Sequence, residues 1–537
     1  MQGIRGFLSS RVRIRGLVAP RLRRSTRRAQ VRNGRSLGWE KVALCYATIL
    51  GIPTILYYYL RLSGSELLPL HAVVASFYLL TALMIIAETT LALCRRFAGP
   101  TTLPRSRAEA LAQLLKGVLG WRGARLPDTE RPLPRSTLIV VAFLPNEQDI
   151  IIETLEHALN WIRRPRDGLE VILAYNTPIH LPVERELDEL RERHPNLRLL
   201  RVEGSESKAE NLNAALEIVT GEITGILDAD HLPRPDCLER AWRWLESDYD
   251  VVQGRSIIRN FDTNLETRCI GVEFECMYGV SHPARSLLVD TGIFGGSNGF
   301  WRTEVLREIR FDPGMMTEDI DASMRALLRG YRIVADRSIV STELAACDFR
   351  SFWFQRKRWA QGWLEVSLKH QRGVWRSRHL GLRQKLYWTY LLGFRELYPL
   401  VSLQVFPIVF SLLFYQGFMP WFAHWYLWIS AVVTLLSGPY QTAVAARNAV
   451  TGLRARDAVG YAFFVLPYVM LKHMVWVVAL YDHLLRNTDW VVTRRQISED
   501  LRLKAEKNGL LSDLQRVCNA VRNGGHSRLR RQRAAAR

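Results

Sequence analysis

Two carboxylates one residue apart, Asp228 and Asp230 of Asp228-Ala229-Asp230, follow directly on the apolar run Ile223 to Leu227. At the end of a strand, residues two apart point to the same side. Such a pair suits Mg2+ or Mn2+, hard cations that keep several waters and take phosphate oxygens of a substrate as further ligands. A turn-forming acidic pair ahead of a helix at Pro235 explains the two residues equally well in isolation. The segment Lys208-Ala209-Glu210-Asn211-Leu212-Asn213 favours the metal, because a Lys at a loop-to-helix junction can neutralise a diphosphate beside the helix N-terminus. Further on, Thr317-Glu318-Asp319 opens a helix predicted to continue to Arg329, with Thr317 as its cap and Asp319 in the first turn. There the helix dipole favours the ionised carboxylate, the form a general base needs before it removes a hydroxyl proton. Gln355, Arg358 and Trp359, spaced i, i+3, i+4, share one helix face. An Arg so placed can hydrogen-bond a pyrophosphate in two places, and an indole can stack on the apolar face of a sugar ring. Dipole compensation by Glu318, Asp319 and Asp321, or an interfacial amphipathic helix over Phe349 to Leu368, would account for these two compositions. Neither requires Gln355 or explains the company the motifs keep.

The elements that must position these residues follow from the apolar pattern. From about Arg135, short apolar runs alternate with helical segments, the signature of a mainly parallel sheet wound with helices. Strands are predicted over Thr137 to Leu144, Leu169 to Tyr175, Leu197 to Val202, Ile223 to Leu227 and Asp250 to Ile258. Helices are predicted over Asp149 to Ile162, Pro182 to Arg193, Ala209 to Val219 and Pro235 to Glu246. Ligands of such sheets sit beyond the carboxyl ends of the strands. Asn146-Glu147, Asn176 and Asp228-Ala229-Asp230 all fall there, so one pocket would collect them.

The 537 residues leave room for membrane helices as well. Val42 to Leu60 holds no Asp, Glu, Lys, Arg or His, and Leu67 to Leu93 holds only His71 and Glu88, so each is long enough to cross a hydrocarbon core. A second apolar block runs from Tyr398 to about Leu485 as three stretches, Tyr398 to Phe418, Phe422 to Ala446 and Val459 to Leu485. The net charge of +21 sits in the ends: residues 1–39 contribute +11 and residues 491–537 contribute +8, leaving +2 for everything between. Basic flanks beside spans stay on the cytoplasmic side and meet anionic lipid, whereas no basic stripe interleaved with aromatics indicates nucleic acid. The Arg/Ser-rich start lacks the amphipathic period of a transit peptide, and no signal-peptide cleavage pattern precedes the first span. Seven scattered Cys with no Cys-x-x-Cys pair indicate neither a disulfide framework nor a zinc site. The expected organisation is a basic arm (1–40), two transmembrane helices (41–94), a linker (95–134) and the sheet domain carrying the motifs (135–347). Interfacial helices (348–396), a second block of transmembrane helices (397–485) and a basic tail (486–537) follow.

With these motifs in this order between membrane blocks, residues from about 135 to 370 and their flanking spans resemble the membrane-integrated processive members of glycosyltransferase family 2. These are the cellulose, hyaluronan, curdlan and mannan synthases. The resemblance implies an α/β GT-A domain, facing the cytosol and inserted between multi-pass transmembrane α-helices. Its activity would be that of a processive inverting glycosyltransferase, extending a β-linked polysaccharide from a nucleotide sugar and passing it across the membrane, most simply the plasma membrane. Asp228-Ala229-Asp230-His231 matches the family's metal and nucleotide motif, and Thr317-Glu318-Asp319 the motif supplying the catalytic base, with Glu318 on the acceptor side. Gln355-Arg356-Lys357-Arg358-Trp359 matches its QxxRW signature, whose Trp lies under the acceptor sugar. Phe294-Gly295-Gly296-Ser297 resembles the acceptor-side finger loop, with Gly295 where cellulose synthases carry Cys. Trp490-Val491-Val492-Thr493-Arg494-Arg495 resembles the FxVTxK gating loop, with Trp490 for Phe and Arg495 for Lys. Family members usually place Asp at the end of the second strand to contact the nucleotide base. Asn176 stands there instead, able to hydrogen-bond a uracil or guanine edge but not to supply charge. The implied partners are a nucleotide sugar, a UDP-sugar first, the growing polysaccharide and membrane lipid, with no nucleic acid. A gating loop over a cytosolic domain requires an even number of spans between them. The competing readings are a non-processive family 2 transferase acting on a lipid-phosphate carrier and a non-catalytic subunit that guides a polysaccharide through the membrane.

Overall fold

The computed structural model describes residues 38–94, 127–413, 425–450 and 455–487. Its centre is an eight-stranded sheet of order β3-β2-β1-β4-β7-β6-β8-β5. The strands are β1 Ser136–Phe143, β2 Leu169–Asn176, β3 Leu197–Arg201, β4 Ile223–Asp228, β5 Leu232–Pro233, β6 Val251–Ile258, β7 Gly299–Arg302 and β8 Ile333–Glu343. Strands β3, β2, β1 and β4 run parallel, and β6 runs parallel to β8. The sheet is mixed, however, because β7 lies antiparallel between β4 and β6, and β5 antiparallel on β8. The expectation of a mainly parallel sheet missed β5, β7 and β8. Four residues of β7 and two of β5 are too short to show a period, and Asp336 and Arg337 interrupt the apolar run of β8.

Near-continuous apolar strands form because both faces of this sheet are covered. On β1, Ile139 and Val141 enter one core with Ile172, Ala174, Ile226 and Trp301. The alternating Leu138 and Val140 enter the other with Val171, Leu173, Leu227 and Phe300. The predicted helices form at Ile151–Asn160, Val183–Arg193, Lys208–Leu216 and Cys237–Glu246. Ser207 caps the third, accepting from the Glu210 N–H at 3.2 Å.

Among the described residues, four helices are long and apolar enough to cross a membrane: Trp39–Leu62, Leu68–Leu93, Trp425–Asn448 and Ala455–Leu484. Within the described part of the stretch expected from Tyr398, two shorter helices form, Arg395–Leu403 and Val405–Leu413. The latter lies against the first span, where Ile408 packs with Tyr57, Leu67 and Val74, and the Tyr57 hydroxyl donates to Gln404 Oε1 at 3.0 Å. Among the described residues, two long helices follow the sheet domain; residues 414–424, which include the end of the stretch expected from Tyr398, lie outside them. Domain and spans share a core: Ile270 and Phe274 of the Leu265–Cys276 helix pack with Phe352, Val444, Tyr461 and Tyr468. The 28-residue helix Phe349–Arg376, capped by Asp348 accepting from the Ser351 N–H at 2.9 Å, runs between the two. The Trp490–Arg495 motif and most of the basic arm, linker and tail lie outside the described residues.

Phe300 is fully buried on β7, the strand the sequence pattern does not reveal. Phe300→Ala is expected to cost about 3–5 kcal/mol, read as a lowered unfolding midpoint of the solubilised protein. A midpoint equal to wild type would place Phe300 outside the core.

Candidate active site

Strand β4 delivers Asp228 to the carboxyl edge of the sheet, and the turn that follows, closed by the His231 N–H on the Asp228 carbonyl at 3.1 Å, returns Asp230 and His231 beneath it. Ligand atoms of Asp228, Asp230 and His231 all lie within 4.8 Å of one another. Asp230 is buried and accepts from the Leu344 N–H at 3.0 Å. Burial alone would push the His231 imidazole down, but Glu343 on Nε2 at 2.8 Å and Asp230 on Nδ1 at 3.3 Å outweigh it and raise the ring to about 9. Both ring nitrogens of His231 are thus engaged by carboxylates. The residues therefore fit a hard divalent cation held by Asp228 and Asp230 oxygens and completed by water or phosphate, with His231 offsetting their charge.

Lys208, the first residue of its helix, donates to Asp228 Oδ1 and, at 2.7 Å, to the Gly296 carbonyl. Burial works against its charge, but Asp228, Glu318 and Asp319 outweigh it and raise its pKa. Gly296 belongs to the finger-like loop and has φ 88°, a left-handed conformation that favours glycine. A Cβ there would stand 2.8 Å from Asp319 Oδ2. A Cβ at Gly295 would stand 2.8 Å from the Tyr278 hydroxyl, so Tyr278 occupies the space that a larger residue would need. Ser297 accepts from the Asp228 N–H at 2.9 Å, joining the loop to β4. Phe294 is turned away: its ring is fully buried against Trp301 and Phe311, so only its backbone borders the site.

Thr317 does not cap the Glu318–Leu328 helix through its side chain; its hydroxyl is buried without a partner among the described residues. Asp319 accepts from the Ile320 N–H at 2.9 Å and takes over part of that task. The dipole does not control its charge either. Burial and the neighbouring Glu318 push the Asp319 carboxyl up, Lys208, the Ile320 N–H and Arg358 pull it down, and it settles at about 7. The expectation of a carboxylate held ionised by the helix gives way to desolvation.

On the Phe349–Arg376 helix, Arg358 donates to the Met316 carbonyl at 3.2 Å, immediately before Thr317, while Gln355 is buried one turn earlier. Trp359 packs at the edge of the cluster that contains Tyr278 and Tyr468. Asn176 ends β2, its amide donating to the Ser205 carbonyl at 2.9 Å and its oxygen accepting from Asn211 at 2.8 Å. Three residues that position the site carry no sequence signal. Gln253 holds the loop from below, accepting from the Gly295 N–H at 2.7 Å and donating to the Ser297 carbonyl at 3.0 Å. Ser323 accepts from the Phe294 N–H at 2.9 Å and donates to the Asp319 carbonyl at 2.8 Å, linking loop and helix. Tyr278 sits in a π-helical turn, Met277–Ser281, that no pattern announces.

Residues 223–438 match the family model described as glycosyl transferase family group 2. A probable glucomannan 4-beta-mannosyltransferase 14 of Arabidopsis thaliana is 28% identical over 203 residues, 37% of this chain and 36% of that protein. The beta-monoglucosyldiacylglycerol synthase of Synechocystis sp. is 26% identical over 260 residues, 48% and 53% of the two chains. A UDP-forming cellulose synthase catalytic subunit of Komagataeibacter sucrofermentans is 28% identical over 189 residues, 34% and 25%. The match thus spans between a quarter and about half the length of these relatives. Among solved structures, the Pyrobaculum calidifontis mannosyltransferase PcManGT, in complex with GDP-Man and Mn2+, aligns at 22% identity and TM-score 0.47, over 78% of this chain and 99% of its own.

Asp228→Asn and Asp230→Asn are each expected to weaken Mn2+ binding at least about tenfold, followed by loss of the free-ion paramagnetic resonance signal with UDP or GDP present. Unchanged binding in both variants would remove this pair as a metal site.

Proposed function

We propose, starting from a chain that carries a family 2 glycosyltransferase domain of the cellulose synthase-like type, that this site polymerises a β-linked polysaccharide from a nucleotide sugar by direct inverting transfer. One observation supports this above others: the candidate base Asp319, the ammonium of Lys208 and the carboxylate of Asp228 converge on the single turn at Gly296. Asp319 takes the proton of the terminal acceptor hydroxyl, and that oxygen attacks the anomeric carbon of an α-linked donor. The bond from that carbon to the diphosphate oxygen breaks, and the nucleoside diphosphate leaves with the bonding electrons. Lys208 and Arg358 stabilise the charge that develops on it. A divalent cation bound by Asp228 and Asp230 would share that charge. Trp359 supplies the platform for the acceptor sugar, with Gly295, Gly296, Ser297 and Glu318 beside it, and Gln355 and Asn176 complete the donor side.

The four apolar helices support a multi-pass membrane protein, with the catalytic domain and both basic ends in the cytosol. Continued extension and passage of the product between the spans belong to the same reading. A UDP-sugar is the first donor to test, in keeping with the UDP-forming relative. A second reading, transfer of one sugar to a membrane lipid, is favoured by the likeness to the beta-monoglucosyldiacylglycerol synthase.

Purified full-length protein in lipid, given radiolabelled UDP-glucose, UDP-N-acetylglucosamine or GDP-mannose in turn, is expected to build a high-molecular-weight product from one of them. A product that stops at one or two sugars on an extractable lipid would decide for the second reading.

Asp319→Asn is expected to lower transfer by at least about a hundredfold while donor affinity stays within a few fold, because the base acts on the acceptor. With its carboxyl at about 7, wild-type kcat/KM should fall as pH drops through that value and the base becomes protonated. A flat profile between pH 5.5 and pH 8.5, each approximate bounds set around that carboxyl, would remove Asp319 as the titrating base.

A further inference from the structure

The Leu265–Cys276 helix carries a carboxylate that the proposed reaction does not use. Glu273, largely buried, accepts from Arg356 Nη2 at 2.5 Å, from Lys472 Nζ at 2.8 Å and from the Tyr468 hydroxyl at 2.7 Å. Lys472 and Tyr468 stand one turn apart on the Ala455–Leu484 span, and Arg356 belongs to Gln355-Arg356-Lys357-Arg358-Trp359. One carboxylate thus joins an interface helix, a membrane span and the motif helix. Burial opposes its ionised form, but Arg356 and Lys472 outweigh this and bring the carboxyl down to about 2.

Arg356 is also the residue behind Trp359. Its guanidinium carbon lies 4.5 Å from the centre of the Trp359 ring and 5.2 Å from that of Phe352. A guanidinium over an aromatic face is held by the ring quadrupole, and it covers that face. The Coulomb attraction of Glu273 keeps it there: without the carboxylate, the buried Arg356 and the partly exposed Lys472 are two neighbouring cations with no shared counter-charge, and they repel.

We propose that Glu273 is a positioning residue for the acceptor: it fixes Arg356 against one face of Trp359 and so presents the other face of the indole to the sugar. This rests on the reading of Trp359 as the acceptor platform. The residue touches neither donor nor acceptor, so its removal should disturb acceptor use and leave the donor side alone.

The test uses the full chain in lipid, with the donor selected by the panel above and mannotetraose or cellotetraose as added acceptor. For Glu273→Gln, the KM for the tetraose is expected to rise about fivefold, while donor hydrolysis without acceptor stays within about twofold of wild type. Arg356→Lys keeps a charge for Glu273 but loses the planar fork, and should raise that KM similarly even if the Gln variant folds poorly. In a Trp359→Ala background, Glu273→Gln should change the KM no further, because both substitutions remove the same contact. Equal losses of hydrolysis and transfer in Glu273→Gln and Arg356→Lys, or a full multiplicative effect in the Trp359→Ala background, would assign Glu273 to stability alone. If Trp359→Ala by itself leaves the KM unchanged, the platform reading fails first and this inference fails with it.

Discussion

The site depends on one ammonium shared among three carboxylates. Lys208 touches Asp228 and the Gly296 carbonyl, and its charge also interacts with those of Glu318 and Asp319. Without it, three acids from two distant segments would face one another in a recess, where like charges are costly. Lys208 can reach this place only because its helix begins there, Ser207 capping it at the carboxyl edge of the sheet. Gly296 is equally constrained. Its left-handed backbone aims a carbonyl at Lys208 and leaves Asp319 room beside its Cα. A cation held this way is already desolvated and preorganised among its acceptors.

The membrane side is tied to the sheet by buried ion pairs at three heights. Arg255 of β6 pairs with Glu275 and donates to the Asn448 carbonyl at 3.3 Å, at the C-terminal end of the Trp425–Asn448 helix, where the helix dipole favours a positive charge. Glu273 holds the Ala455–Leu484 helix to Arg356. Fully buried Asp482 pairs with Lys41 of the first span and with Lys357 of the motif helix at 2.6 Å. Such pairs stabilise little on balance but are costly to break singly, so they fix orientation more than they add stability. Arg255 also lies two residues beyond Gln253, which supports the finger-like loop, so membrane packing and loop position share one strand.

The candidate residues were legible in the sequence where residue types recur at a fixed local spacing. Asp228 with Asp230, and Gln355 with Arg358 and Trp359, depend on strand and helix geometry that a short window contains. Parallel strands β1 to β4 were equally readable, because each is a long apolar run between turn residues. What stayed hidden depends on pairing across long distances. Gln253 and Gly295 are 42 residues apart, and Ser323 and Phe294 are 29 apart, so nothing local marks either contact. The charge of Asp319 was misread for a related reason. A dipole is a property of its own helix, whereas desolvation comes from everything packed around it, and here the second effect is larger.

Two of the departures from the expected family pattern, Gly295 and Asn176, are each matched by a second residue. Where a Cys is usual, Gly295 makes way for the Tyr278 hydroxyl, which takes the vacated volume beside the loop. Where an Asp is usual, Asn176 offers its amide to the Ser205 carbonyl and its oxygen to Asn211, pairings that an ionised carboxylate could meet only as an acceptor. Both exchanges replace a group that could react or carry charge with a neutral arrangement of similar shape. The Asn176 side chain therefore places no charge at the end of β2, while Lys208 keeps its contacts to Asp228 and the Gly296 carbonyl. Whatever lies beside Asn176 meets hydrogen bonding and shape there rather than charge, and the charged cluster around Lys208 rests on contacts in which neither Asn176 nor Gly295 takes part.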